Sequence, residues 1–88
     1  MSDLAAIGMA SVLAAGLGVA IGGIGPGLGE GRALAQALQA IAQQPDEANS
    51  ITRTLFVGLA MVESTAIYAF VVALILIFAN PFWAAVAP

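Results

Sequence analysis

Two long apolar stretches set the pattern of the chain. From Leu4 to Gly29 no residue is ionisable, and from Thr54 to Ala79 the one charged residue is Glu63. Each stretch covers 26 positions. As helix that is about 39 Å, longer than the roughly 30 Å hydrocarbon core of a bilayer. Backbone crossing lipid must satisfy its own hydrogen bonds, so the pattern predicts two transmembrane helices. Between them runs Gln43-Gln44-Pro45-Asp46-Glu47-Ala48-Asn49-Ser50. Pro45 disfavours helix at Gln44, and Asp46, Asn49 and Ser50 are turn and N-cap formers. The connection is short, which makes the helices an antiparallel hairpin. The expected layout is one domain over 1–88. It has a first, inner helix over 4–42, a turn over 43–50, a second, outer helix over 51–79 and a C-terminal end over 80–88. Asn80-Pro81 ends the second helix, with Phe82 and Trp83 as interfacial anchors.

Composition narrows the class. Hydrophobic residues make up 61% of the chain and charged residues 8%. Soluble domains carry about 25% charged residues. So few charges cannot cover a small globule, where surface-to-volume ratio is least favourable. With no Cys and no His, a disulfide framework, thiolate or imidazole metal sites and the commonest general base are all missing. Lys and Arg total 2 against a net charge of -3, which argues against nucleic-acid binding. A self-contained enzyme is not expected, nor a permanently bound cofactor. Residues 1–3 carry no positive charge, and the apolar run is too long for a secretory h-region. Arg32 and Arg53 both lie on the loop side of the spans. The positive-inside tendency therefore puts the turn in the cytoplasm and both termini on the opposite side.

Nine of the ten glycines fall between Gly8 and Gly31. At about 100° per residue, Gly16, Gly23, Gly27 and Gly31 share one side of the first helix with Ala20. Gly18, Gly22, Gly25 and Gly29 lie on a nearly opposite side. In lipid, small residues let helices approach closely. Two opposed stripes suit a helix with a like neighbour on each side, and head-to-tail contacts of that kind close into a ring. The bulkier second helix, with Phe70, Val72, Leu74, Ile75 and Phe78, would then face lipid outside. A generic close-packed hairpin is the plainer alternative. A nucleotide loop is not, because Gly25-Pro26-Gly27-Leu28-Gly29-Glu30-Gly31 lacks the Walker lysine and the GxGxxG spacing.

Glu63 lies deep in the second span, where an ionised, unpaired carboxylate is costly and functional by default. A structural hydrogen bond between helices is its plainer role. Positions 30 and 63 are symmetric about the turn, so Glu30 reaches a similar depth. Two carboxylates in one low-dielectric site cannot both stay ionised, so a proton is shared or a cation is held. Arg32 is two residues from Glu30 and faces elsewhere on the helix. A contact between subunits stays open. Near Glu63, Ser64 and Thr65 offer hydroxyl oxygens and Tyr68 can donate to a carboxylate. Ser64 and Thr65 could instead bond back to their own helix.

Over nearly all 88 residues the chain resembles the c subunit of F-type ATP synthases, the proteolipid of the rotor ring. The resemblance rests on the glycine-rich Gly22–Gly31 stretch, Gln44-Pro45 in the turn, Glu63 in the second helix and Ala79-Asn80-Pro81-Phe82 at its end. It implies an all-α transmembrane hairpin assembling into a closed ring of identical copies. That ring would turn in a bacterial inner membrane against the a subunit of the stator. Each Glu63 would load and release one cation, H+ or Na+, per revolution. Gln43, Gln44, Pro45 and Asp46 would contact the central stalk. In sodium-coupled members, residues at the positions of Glu30 and Ser64 and the main-chain carbonyl at Met61 ligate the ion. The counterparts of Thr65 and Tyr68 support that site. Two departures stand out. Gln43 replaces the usual Arg of the turn, and Glu30 replaces a Gln. The second carboxylate looks like the N-type branch of the family.

Ion choice is pulled both ways. Ser64, Thr65 and Tyr68 favour sodium, since hard cations prefer oxygen ligands. The carboxylate pair and its apolar surroundings favour protons, and the balance leans to protons. The alternative function is a non-rotary hairpin, such as a carboxylate-dependent exporter, channel or scaffold.

Overall fold

The computed structural model describes residues 2–88. It is a helical hairpin 65 × 17 × 10 Å in extent, with no strand among the described residues. Helix α1 runs over Asp3–Gln43. A short 3₁₀ turn follows over Pro45–Glu47, then α2 over Ala48–Phe78 and a short α3 over Pro81–Val86. Both long helices are apolar enough to cross a membrane.

Local chemistry explains each end. Ser2 caps α1, its hydroxyl accepting from the Ala5 N–H at 3.1 Å. Asp3 sits in the first turn, where a negative charge suits the helix dipole. Pro26 lies inside α1 without ending it. At the other end Gln44 leaves helical geometry, with φ -133° and ψ 72°, as a residue before proline tends to do.

The turn is tighter than the 43–50 segment expected, and α2 starts at Ala48 rather than at 51. Gln43 belongs to α1, while Asn49 and Ser50 are already helical. Pro45 opens the 3₁₀ turn, where its missing N–H costs nothing. That turn runs straight into α2: the Ala48 N–H donates to the Pro45 carbonyl, and no side-chain cap is made.

Contacts between the helices fix the register. Gly22 meets Ala69, Gly29 meets Val62, Gly8 meets Trp83 of α3, and Ser11 bonds Asn80. Each pair is symmetric about the Pro45–Asp46 bond. At Gly22 the approach is closest, since a Cβ there would lie 2.8 Å from the Ala69 methyl. The buried apolar residues are alanines, Ala15, Ala37 and Ala73. Large side chains such as Leu13, Leu17, Ile24, Leu28, Phe70 and Phe78 are exposed. One hairpin therefore has close helix contact but no core of bulky side chains. Its apolar surface is left for lipid and for other copies.

Candidate functional site

α1 and α2 bring Glu30 and Glu63 close enough for their carboxyls to interact. The register explains the meeting. Glu30 stands level with Met61, and Glu63 with Leu28, so the two carboxylates differ by about 3 Å in depth. Glu30 is half-buried and Glu63 exposed on the side of the single hairpin. From the turn the pair is about 23–26 Å along the axis, with Glu63 well inside the apolar stretch of α2 and Glu30 at the turn-side end of the apolar stretch of α1.

Ser64 donates to the Met61 carbonyl at 2.6 Å. That bond uses the hydroxyl hydrogen and leaves the oxygen lone pairs free. Two carboxylates, a hydroxyl oxygen and a backbone carbonyl are thus grouped within one helical turn of α2 and the facing turn of α1. The described residues contain no cluster of three or more His, Cys, Asp or Glu. Thr65 and Tyr68 are exposed, and neither makes a side-chain hydrogen bond inside the hairpin among the described residues. Gln43, Gln44, Pro45 and Asp46 are exposed together at the turn.

The glycines divide differently from the two stripes. Gly22 and Gly29 pack against α2 of their own chain. They are therefore not free for a neighbour, because α2 occupies that side of α1. Gly16, Gly18, Gly23, Gly25, Gly27 and Gly31 have nothing within 4 Å of an added Cβ. Those six remain open.

A tie at the far end was not anticipated from sequence. The Asn80 amide donates to the Ser11 hydroxyl at 2.6 Å and to the Leu76 carbonyl at 3.2 Å. Its carbonyl oxygen accepts from the Phe82 and Trp83 N–H groups at 2.9 and 3.2 Å, capping α3. One side chain joins three helices. The Asn-Pro pair was the available signal: an N-cap residue followed by proline at the first helical position.

The chain matches the ATP synthase c-subunit family over residues 13–76. It belongs to that family. The ATP synthase c subunit 2 of Cereibacter sphaeroides is 61% identical over 74 residues, covering 84% of this chain and 89% of the relative. The ATP synthase c subunit of a Synechococcus strain is 52% identical over 82 residues, covering 93% and 98%. A chloroplastic ATP synthase c subunit from Diacronema lutheri is 54% identical over 78 residues, covering 89% and 94%. The chain is thus a non-catalytic, integral membrane component of an F-type ATP synthase rotor, associated in an oligomeric ring.

Proposed function

We propose that Glu63 is the cation carrier of this rotor ring and that the cation is a proton. The meeting of Glu30 and Glu63 at one depth is the observation that carries the reading. A carboxylate pair in an apolar site binds a proton more readily than either carboxylate alone. With the proton aboard, the site is neutral and can face lipid at small cost. Once the proton leaves, ionised Glu63 must stay beside water or a fixed cation. In the c-subunit family that cation is an arginine on the a subunit of the stator. Rotation then follows the charge state: each Glu63 empties and refills at the stator, then crosses lipid neutralised.

In the same reading the turn faces the cytoplasm, and Gln43, Gln44, Pro45 and Asp46 meet the central stalk there. Their common exposure at one end supports this placement. Both termini lie across the membrane.

Sodium is the second reading, supported by the oxygen-bearing groups Ser64, Thr65 and Tyr68 near Glu63 in sequence, although the Ser64 hydroxyl bonds back to the Met61 carbonyl of its own helix. An ion would have to draw the Ser64 oxygen and the Met61 carbonyl toward Glu63. A protonated Glu30 still offers a carbonyl oxygen to a bound ion. Carbodiimide labelling of Glu63 in the isolated ring separates the two ions. Sodium at neutral pH is expected to leave the labelling rate unchanged. Strong protection by sodium overturns the proton assignment in favour of the second reading.

A further inference from the structure

Two flanks of α1 are open in the single hairpin, and they differ in charge. The side of α1 that meets α2 is marked by Ser11, Ala15, Gly22, Gly29 and Ala37. At about 100° per residue, Glu30 lies about 70° to one side of that direction and Arg32 about 90° to the other. Gly16 and Gly23 fall on the Glu30 flank. Gly18 and Gly25 fall on the Arg32 flank. A Cβ at any of these four glycines would meet nothing within 4 Å. One spacing therefore recurs at heptad intervals: 16 with 18, 23 with 25, and 30 with 32. At the first two levels each flank offers a bare backbone. At the third the two flanks offer opposite charges.

A closed ring of identical subunits sets one flank of every copy against the other flank of the next. We infer that Arg32 of each subunit pairs with Glu30 of its neighbour and so completes the carboxylate site from the adjacent copy. The axial offset of two residues, about 3 Å, is well within the reach of an arginine side chain. Inside one chain the same pair is disfavoured, because residues two apart face different ways on a helix. A guanidinium left unpaired in a tight interface would be costly, whereas a fork of donors on a carboxylate is its preferred geometry.

The consequence is a division of labour. Glu30 is held ionised by Arg32, and Glu63 is left as the carboxyl that takes up and releases the cation. Arg32 is a positioning residue, acting through Glu30. The titratable groups at the site within one hairpin are then Glu30 and Glu63, with Arg32 supplied from next door. Arg53 is ten residues nearer the turn, about 15 Å away along α2.

The inference rests on the ring and on Glu63 as carrier, and its test keeps them separable. Intact rings would be purified from wild type, Arg32→Gln, Arg32→Lys, Glu30→Gln and the Glu30→Gln/Arg32→Gln double variant. Heating before a denaturing gel reads the temperature at which each ring falls to monomers. Both single Gln variants are expected to dissociate at lower temperature, and the double to regain most of that loss. Mass spectrometry then locates carbodiimide adducts, which form on protonated carboxyls. Wild type and Arg32→Lys should carry the adduct on Glu63. In Arg32→Gln the Glu30 adduct should rise about tenfold or more, the scale on which an opposite charge holds a carboxyl ionised.

Additive losses in the double variant overturn the pairing, as they would if Arg32 instead met lipid phosphate independently of Glu30. Unchanged Glu30 labelling in Arg32→Gln overturns it too. A single variant that fails to assemble counts as the largest loss, and assembly of the double then supports the pair. The Glu63 adduct in wild type reports on the carrier reading by itself, and the heating series decides the ion pair whatever that adduct shows.

Discussion

Glu63 is the one charged side chain between Arg53 and the end of the chain. Everything else at its depth on α2 is neutral, so its protonation state sets the charge that α2 presents to lipid. Glutamine keeps the shape and the hydrogen-bonding capacity of the acid but cannot ionise. Glu63→Gln is therefore expected to leave ring assembly intact and reduce ion-coupled ATP turnover to background. Rings on a denaturing gel and ATP-driven pumping in inverted vesicles check both halves. Coupled pumping retained in that variant would remove Glu63 from the carrier role. Much of this site was legible before folding, because charge is so scarce that the two glutamates mark themselves. The Ser64–Met61 bond was less so. A hydroxyl three residues after a carbonyl can bond back to it or turn outward, and only the rotamer decides.

At the scale of elements, the two helices could be read from apolar length, since lipid leaves the backbone few options. Their boundaries at the turn could not. Asn49 and Ser50 are good caps by type, yet Pro45 lets a 3₁₀ turn pass directly into α2 and makes a cap unnecessary. The Asn80 tie was hidden for another reason: its Ser11 partner is 69 residues away, and only the register brings them level. Glycine roles were half legible. A helical wheel shows which residues share a side but not where the partner helix lies. The contact at Gly22 settles that, and it carries a prediction. Valine there would press into Ala69, which a Cβ would already approach to 2.8 Å. Overpacking of this kind costs about 1–3 kcal/mol. Cysteines placed at Ala15 and Leu76, opposite in register, would report the loosening in a chain that otherwise has none. Gly22→Val should lower their disulfide yield several-fold within the single chain. An unchanged yield would show that α1 and α2 do not depend on this contact.

The whole molecule is a rod without a core of large side chains, and that shape dictates where its stability arises. Leu13, Leu17, Ile24 and Leu28 are each more than half exposed and lie on the side of α1 away from α2. In water such a surface would aggregate. In the proposed ring packing it would face lipid or the lumen, while the glycine flanks of α1 would meet their neighbours. Hydrophobic burial supplies little between helices already in lipid, so close backbone approach and van der Waals contact must hold the ring. Gly25 tests this at the level of assembly. A side chain there has open space inside one hairpin, with nothing within 4 Å of its Cβ. It would stand on the flank that receives the next copy. Gly25→Val is therefore expected to abolish the intact ring on a denaturing gel while leaving the Ala15–Leu76 disulfide yield at the wild-type level. The two glycine variants thus fail in opposite ways, one within the hairpin and one between hairpins. If Gly25→Val loosened the single chain as Gly22→Val does, or assembled normally, the flank would not be a contact between neighbours. Helix α1 would then have to meet the adjacent copies through its bulkier leucine side.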